Sequence, residues 1–163
     1  MIKEIKGAKE KQIIAKDVLR DLPEWFGIEE STKEYIQGVK DKVFFAAYDN
    51  EEHVGFFCLR KENDDVLDLY VLGIKKKYHR KGIGKALQMR VEEYAKDKDY
   101  QYLMVLTLAE KARDDGYLRT RQFYLDMGFI DFYQKDDLFD KDNPCQIMMK
   151  KLWKRFVFIF RSL

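Results

Sequence analysis

Apolar residues recur along this 163-residue chain in two rhythms, and the changes between them mark out its elements. From residue 8 to residue 22, Ile13, Ile14, Val18 and Leu22 fall at helical spacing and stop at Pro23, which predicts a first helix. A second is predicted over residues 31–40, with Ser31 as its cap and Glu34 three positions on. VFFAAYD (Val43–Asp49) and HVGFFCLRK (residues 53–61), separated by Asn50, Glu51 and Glu52, read as a hairpin. VLDLYVLGI (Val66–Ile74) is a further strand. From Gly82 the period lengthens: Ile83, Leu87, Val91 and Tyr94 make a helical stripe. YLMVLTL (Tyr102–Leu108) is a near-continuous apolar run, as in a strand covered on both faces. A short helix over residues 119–127 stops at Gly128, and residues 129–133 and 146–152 give two last strands. This order predicts an α/β fold, a mixed central sheet flanked by helices.

Composition narrows the class. The chain is 46% hydrophobic, 15% aromatic and 37% charged with a net charge of +2, which suits a globular protein near charge balance rather than a dedicated nucleic-acid binder. Two cysteines far apart suggest neither a disulfide framework nor a zinc site, and no other metal site is expected. The charged N-terminus lacks a signal-peptide core and the apolar tail is too short to span a bilayer, so a cytoplasmic location and no membrane partner are expected. Residues 1–152 read as one domain. Residues 153–163, with alternating Phe156, Phe158 and Phe160, read as an apolar extension that adds a strand to the domain or to a second subunit, so a homodimer is expected.

The chemistry concentrates in KKKYHRKGIGKAL, residues 75–87, where a strand passes through a basic turn into a helix. The first N–H groups of a helix lack internal partners and sit at the positive end of its dipole, so they bind anions. Gly82 and Gly84 leave room for phosphate oxygens, and Arg80, Lys81 and Lys85 add charge. A Walker loop does not fit, because position 79 is histidine and Ala86 follows Lys85. The dinucleotide fingerprint fails at Leu87. HRKGIG resembles the acyl-CoA pyrophosphate loop of GNAT-type N-acetyltransferases, Q/R-x-x-G-x-G-A/G, with His79 and Lys85 as departures.

A second stretch, RQFYLDMGF from Arg121 to Phe129, resembles the FYxxxGF helix end of the same family. The resemblance implies the GNAT fold, acetyl-CoA as acetyl donor and an amine as acceptor. It also implies that His79, Arg80, Lys81, Gly82, Ile83, Gly84 and Lys85 hold the pyrophosphate. The backbone of Leu72, Gly73 and Ile74 would then take the pantetheine arm and the acetyl oxygen, with Gly73 a candidate for a strand irregularity. Tyr124 would protonate the departing thiolate. Tyr117 and Thr120 stand where the family often has Asn and Ala, so contacts made there cannot be carried over.

The acceptor amine must lose its proton. An alkylamine is roughly 0.1% neutral at pH 7, a cost of about 4 kcal/mol. By alternation, Val66, Asp68, Tyr70, Leu72 and Ile74 share one strand face, and Asp68 matches a carboxylate that serves as base in some of the superfamily. The other reading of Asp68 is an ion-pair or hydrogen-bond partner for a Lys, Arg or Tyr. Glu24, Trp25, Phe26 and Tyr70 are candidates for the acceptor site, as an aromatic wall with attractive charge. The polar residues 109–116 could also border the cleft. A small-molecule amine is expected as acceptor, with a protein amine or a non-catalytic acyl-CoA sensor as alternatives and a nucleic-acid module a distant third.

Overall fold

A computed structural model describes residues 1–140 and 143–153. The chain runs β1 (Ile2–Glu4), α1 (Ala8–Arg20), α2 (Glu29–Gly38), β2 (Val43–Asp49), β3 (Glu52–Lys61), β4 (Val66–Ile74), α3 (Ile83–Asp97), β5 (Tyr102–Leu108), α4 (Asp115–Asp126), β6 (Ile130–Asp140) and β7 (Asn143–Lys151). The strands form one sheet in the order β1-β2-β3-β4-β5-β7-β6. Every neighbouring pair is antiparallel except β4 and β5. Those two run parallel, joined by the α3 crossover, and their register holds only from Val66 opposite Tyr102 to Asp68 opposite Met104. Beyond Asp68 the strands part. The opening between them positions the site.

Each sheet face buries its own core. On one, Leu87, Val91 and Ala95 of α3 are sealed against Phe45, Phe57, Leu67, Leu69, Leu103 and Val105. On the other, Ile14, Ala15, Val18 and Leu19 of α1 cover Phe44, Phe56, Cys58 and Val71. Leu67 and Leu69 lie on the first face and Val71 on the second, yet Leu72 and Ile74 return to the first. A register shift between Cys58 and Leu59 places the extra residue in β4, a β-bulge at Tyr70. The shared face expected for Val66, Asp68, Tyr70, Leu72 and Ile74 is therefore broken. The irregularity expected at Gly73 lies at the bulge instead, and Gly73 itself packs closely beneath Val18 and Leu22.

Two helix starts, the last two strands and one short strand also differ from expectation: β6 and β7, over residues 130–140 and 143–151, are longer than the 129–133 and 146–152 expected. α2 starts at Glu29 with Ile28 as N-cap, so Ser31 lies inside the helix. Glu29 and Glu30 favour that end through the helix dipole, and the Thr32 hydroxyl reaches back to the Phe26 and Ile28 carbonyls at 2.9 and 3.0 Å. α4 starts four residues early because the Asp114 side chain accepts from the Tyr117 N–H at 2.9 Å, an N-cap hidden in the polar run ARDDG. β1 was not expected: three residues are too few to show alternation. The expectation that the tail adds a strand or a subunit contact falls on residues 154–163, which lie outside the described residues.

Candidate active site

A cavity of about 710 Å³ fills the opening between β4 and β5. Leu69–Ile74 of β4 and Val105–Thr107 of β5 form its walls, the turn into α3 closes one end, and α4 and the α1–α2 segment flank it. Because β4 and β5 no longer pair there, their facing backbone groups are available to a guest.

At the α3 end, Gly82 is the N-cap in left-handed conformation, φ +78°, with nothing within 4 Å of where a Cβ would stand. No side chain caps this helix, so its first N–H groups are left for an anion. Gly84 faces Ile74 and Phe123, which a Cβ would approach to 3.1 and 3.2 Å. The basic run divides in two. Lys75 is held by Asp17 and Glu52 at 2.7 and 3.1 Å, Lys76 by Glu24 at 2.5 Å, and Lys77 by Glu52 at 3.0 Å. Lys77, Lys75 and Tyr78 together hold the Glu52 carboxyl down to about 2. Arg80 and Lys85 line the cavity, whereas Lys81 leans over the Tyr78 ring and is not part of the lining. His79 folds inward, its Nε2 donating to the Ile74 carbonyl and its ring edge-on to Trp25 at 5.9 Å.

Tyr124 lines the cavity and is 3% exposed. The helix ending fixes it: Gly128 at φ +86° lets the Phe129 N–H reach the Tyr124 carbonyl at 3.0 Å and the Gly128 N–H reach that of Leu125 at 2.9 Å. This is a Schellman motif, and its customary apolar contact is the Phe129 ring against the Tyr124 ring at 5.6 Å. FYxxxGF is thus a device for aiming one side chain. No described residue hydrogen-bonds the Tyr124 hydroxyl, and burial, with Tyr117 and Asp68 adding to it, pushes its pKa above the ordinary phenol value. Thr107, on the wall, has a buried hydroxyl with no partner.

The α1–α2 segment roofs the opening. Trp25 Nε1 donates to Thr120 Oγ1 at 3.1 Å, and the Tyr117 hydroxyl donates to the Trp25 carbonyl at 3.1 Å. Tyr117 and Thr120 thus clamp the segment to α4. Trp25, Phe26 and Tyr70 line the cavity, and Tyr35, unremarked in the sequence, joins them edge-on to Phe26 at 6.0 Å and to Tyr70 at 5.5 Å. Glu24 does not line it; its carboxylate turns outward to Lys76. Residues 109–116, expected at the border, do not line the cavity; Gly116 lies under the Trp25 ring, which a Cβ there would approach to 3.2 Å.

Asp68 sits where β4 and β5 part, 2% exposed, and does not line the cavity. Its Oδ2 accepts from Arg60 Nη2 at 2.8 Å, while Oδ1 has no partner. Burial raises its pKa to about 6 in spite of Arg60. Asp68 thus has the ion-pair partner that one reading of the sequence expected, and it holds a proton to higher pH than an ordinary carboxylate.

The family model of the GNAT acetyltransferase family matches residues 13–129. The chain belongs to that family. A comparison with curated protein sequences gave no match. Among solved structures, a GNAT-family protein from Desulfovibrio desulfuricans superposes with TM-score 0.79 at 16% identity, over 94% of this chain and 100% of that one. An aminoglycoside 6'-N-acetyltransferase from Enterococcus faecium gives 0.74 at 20%, over 95% and 98%. A GNAT acetyltransferase from Elizabethkingia anophelis with acetyl-CoA bound gives 0.67 at 17%, over 84% and 90%. Tyr35, Thr107, Arg119 and Asp126 are among the lining residues that the sequence did not point to. Only the helical position of Tyr35, four after Ser31, could have pointed to it, since a lone tyrosine on an amphipathic helix carries no chemical signature.

Proposed function

We propose that this protein transfers the acetyl group of acetyl-CoA to the primary amine of a small molecule, by direct attack while both are bound. One observation carries the reading: a single cavity is lined by an uncapped helix start, by Tyr124 and by the aromatic group Phe26, Tyr35 and Tyr70. Two substrates can therefore occupy it together.

In this reading the α3 N–H groups at Gly82, Ile83 and Gly84 take the pyrophosphate, with Arg80 and Lys85 supplying charge. The three upstream lysines are neutralised by acidic neighbours, which suits one small phosphorylated ligand better than a polymer. The open edge from Leu72 to Ile74, where the Ile74 carbonyl already accepts from His79, offers its remaining backbone groups to the pantetheine amides and an N–H to the developing oxyanion. Tyr124 donates its proton to the sulfur as the C–S bond breaks. Burial weakens the phenol as an acid, but the same dry surroundings make the thiolate a stronger base, so the two stay matched. The amine gives up its proton through water to Oδ1 of Asp68.

The test is coenzyme A release by the purified protein with acetyl-CoA and a panel of primary amines, with products identified by mass. Acetylated amine supports the reading. Tight acetyl-CoA binding with no turnover on any amine would identify a sensor instead.

A further inference from the structure

We infer that the acceptor is an aromatic monoamine, a flat ring on a short alkylamine, and not a polycation such as an aminoglycoside or polyamine. The inference rests on the acetyl-transfer reading and names the class of its second substrate.

A polycation needs carboxylates to replace its water. At the acceptor end the cavity lining offers none, and Asp68, buried behind the lining and paired with Arg60, is reached only through water. Glu24 is turned out to Lys76, Asp21 accepts from the Lys76 N–H at 2.7 Å, Glu29 faces Arg20 and Lys33, and Glu30 faces Lys33. Glu34, beside Tyr35 on α2, does not line the cavity. Asp126 is the one acidic lining residue among those described, and it belongs to the last turn of α4, beside Phe123 and the cradle.

What is offered is aromatic surface. Phe26, Tyr35 and Tyr70 meet nearly at right angles, with interplanar angles of 89° and 69°, an arrangement that leaves ring faces and edges for a further ring. The local cations sharpen the choice. Lys42 Nζ and the Arg60 guanidinium lie 4.7 and 5.2 Å from the centre of the Tyr70 ring, so additional ammonium groups would meet like charge on an aromatic already engaged. A monoamine avoids this, because its only charge is removed before attack.

The experiment measures kcat/KM at pH 8 for phenethylamine, tryptamine, spermidine, kanamycin and an alanine-terminated peptide, with acetyl-CoA affinity measured separately by calorimetry. The aromatic amines should exceed spermidine and kanamycin by at least about 100-fold. Tyr35→Phe should keep that preference, while Tyr35→Leu, which retains apolar bulk without the ring, should lower kcat/KM for phenethylamine at least about 10-fold with acetyl-CoA affinity unchanged. Equal or faster turnover of spermidine, kanamycin or the peptide overturns the aromatic class and leaves acetyl transfer standing. If acetyl-CoA binds but no amine is acetylated, calorimetry of phenethylamine on the coenzyme-loaded protein decides, and absence of binding overturns the inference. Failure to bind acetyl-CoA overturns the underlying reading and this one with it.

Discussion

Replacing Asp68 by asparagine gives a test in which stability and turnover report separately. The carboxyl is 2% exposed and its pKa is raised from 3.8 to about 6, chiefly by burial. Between those values the native protein keeps a proton that the unfolded chain has released. Stability therefore falls as pH rises from about 3.8 to about 6, with no cost below that window and the full cost above it. At about 1.4 kcal/mol per tenfold shift in protonation, the full cost is about 3 kcal/mol. Asp68→Asn has no such proton to hold. Arg60, 42% exposed, keeps water as a partner when the carboxylate is gone. Urea unfolding of both proteins between pH 3.5 and 8 should show the variant gaining about 3 kcal/mol relative to wild type, mostly between pH 4 and 6. Parallel stability curves across that range would refute the buried-carboxylate argument. Turnover should move the opposite way. As a proton acceptor Asp68 works only when ionised, so the loss in kcat/KM should be greatest from about pH 6 to the pKa of the amine and smaller on either side. A loss independent of pH would leave Asp68 as the partner of Arg60 alone.

Three further outcomes follow from the site. Gly82→Val should weaken acetyl-CoA binding at least about 10-fold by calorimetry, and cost stability by about 1–2 kcal/mol because φ is +78° there; unchanged affinity would remove the cradle. Tyr124→Phe should lower kcat by roughly 100-fold with acetyl-CoA affinity unchanged, and a wild-type rate would end the general-acid role. The raised phenol pKa also means that Tyr124 stays protonated up to at least about pH 10, so it should contribute no alkaline fall in kcat below that. Gly38→Ala places a Cβ inside contact distance of the Tyr70 hydroxyl, so the ring must shift. Its kcat/KM for the amine should fall at least about 10-fold while acetyl-CoA binding holds, and an unchanged value would separate Tyr70 from the acceptor.

Much of this was legible in sequence, for identifiable reasons. β2 and β4 lie within the bounds read from their apolar runs, and β5 likewise, since strands packed on both faces are written in consecutive apolar residues. The cradle was legible because it depends on backbone geometry that few residues permit, and Gly82 is one of them. The bulge at Tyr70 was not, because a register shift depends on the partner strand and leaves no mark in VLDLYVLGI. Glu24 was misjudged for a related reason: its partner Lys76 is 52 positions away, and composition cannot tell an available carboxylate from a neutralised one. Tyr117 and Thr120, seen only as departures from a family pattern, proved to be the groups that anchor the roof.

The parting of β4 and β5 also bears on how this sheet avoids sticking to other chains. Unpaired strand edges invite a foreign strand to add, and most sheets confine them to the periphery, where charge or irregularity blunts them. Here two such edges face each other inside the sheet, within a few residues of the Asp68–Met104 pair. The α1–α2 segment, tied to α4 through Trp25 and Thr120, lies over them. The segment over the opening thus covers a pair of edges that, in an ordinary sheet, would lie at the periphery, and a guest seated beneath it would give them the partner that the sheet does not.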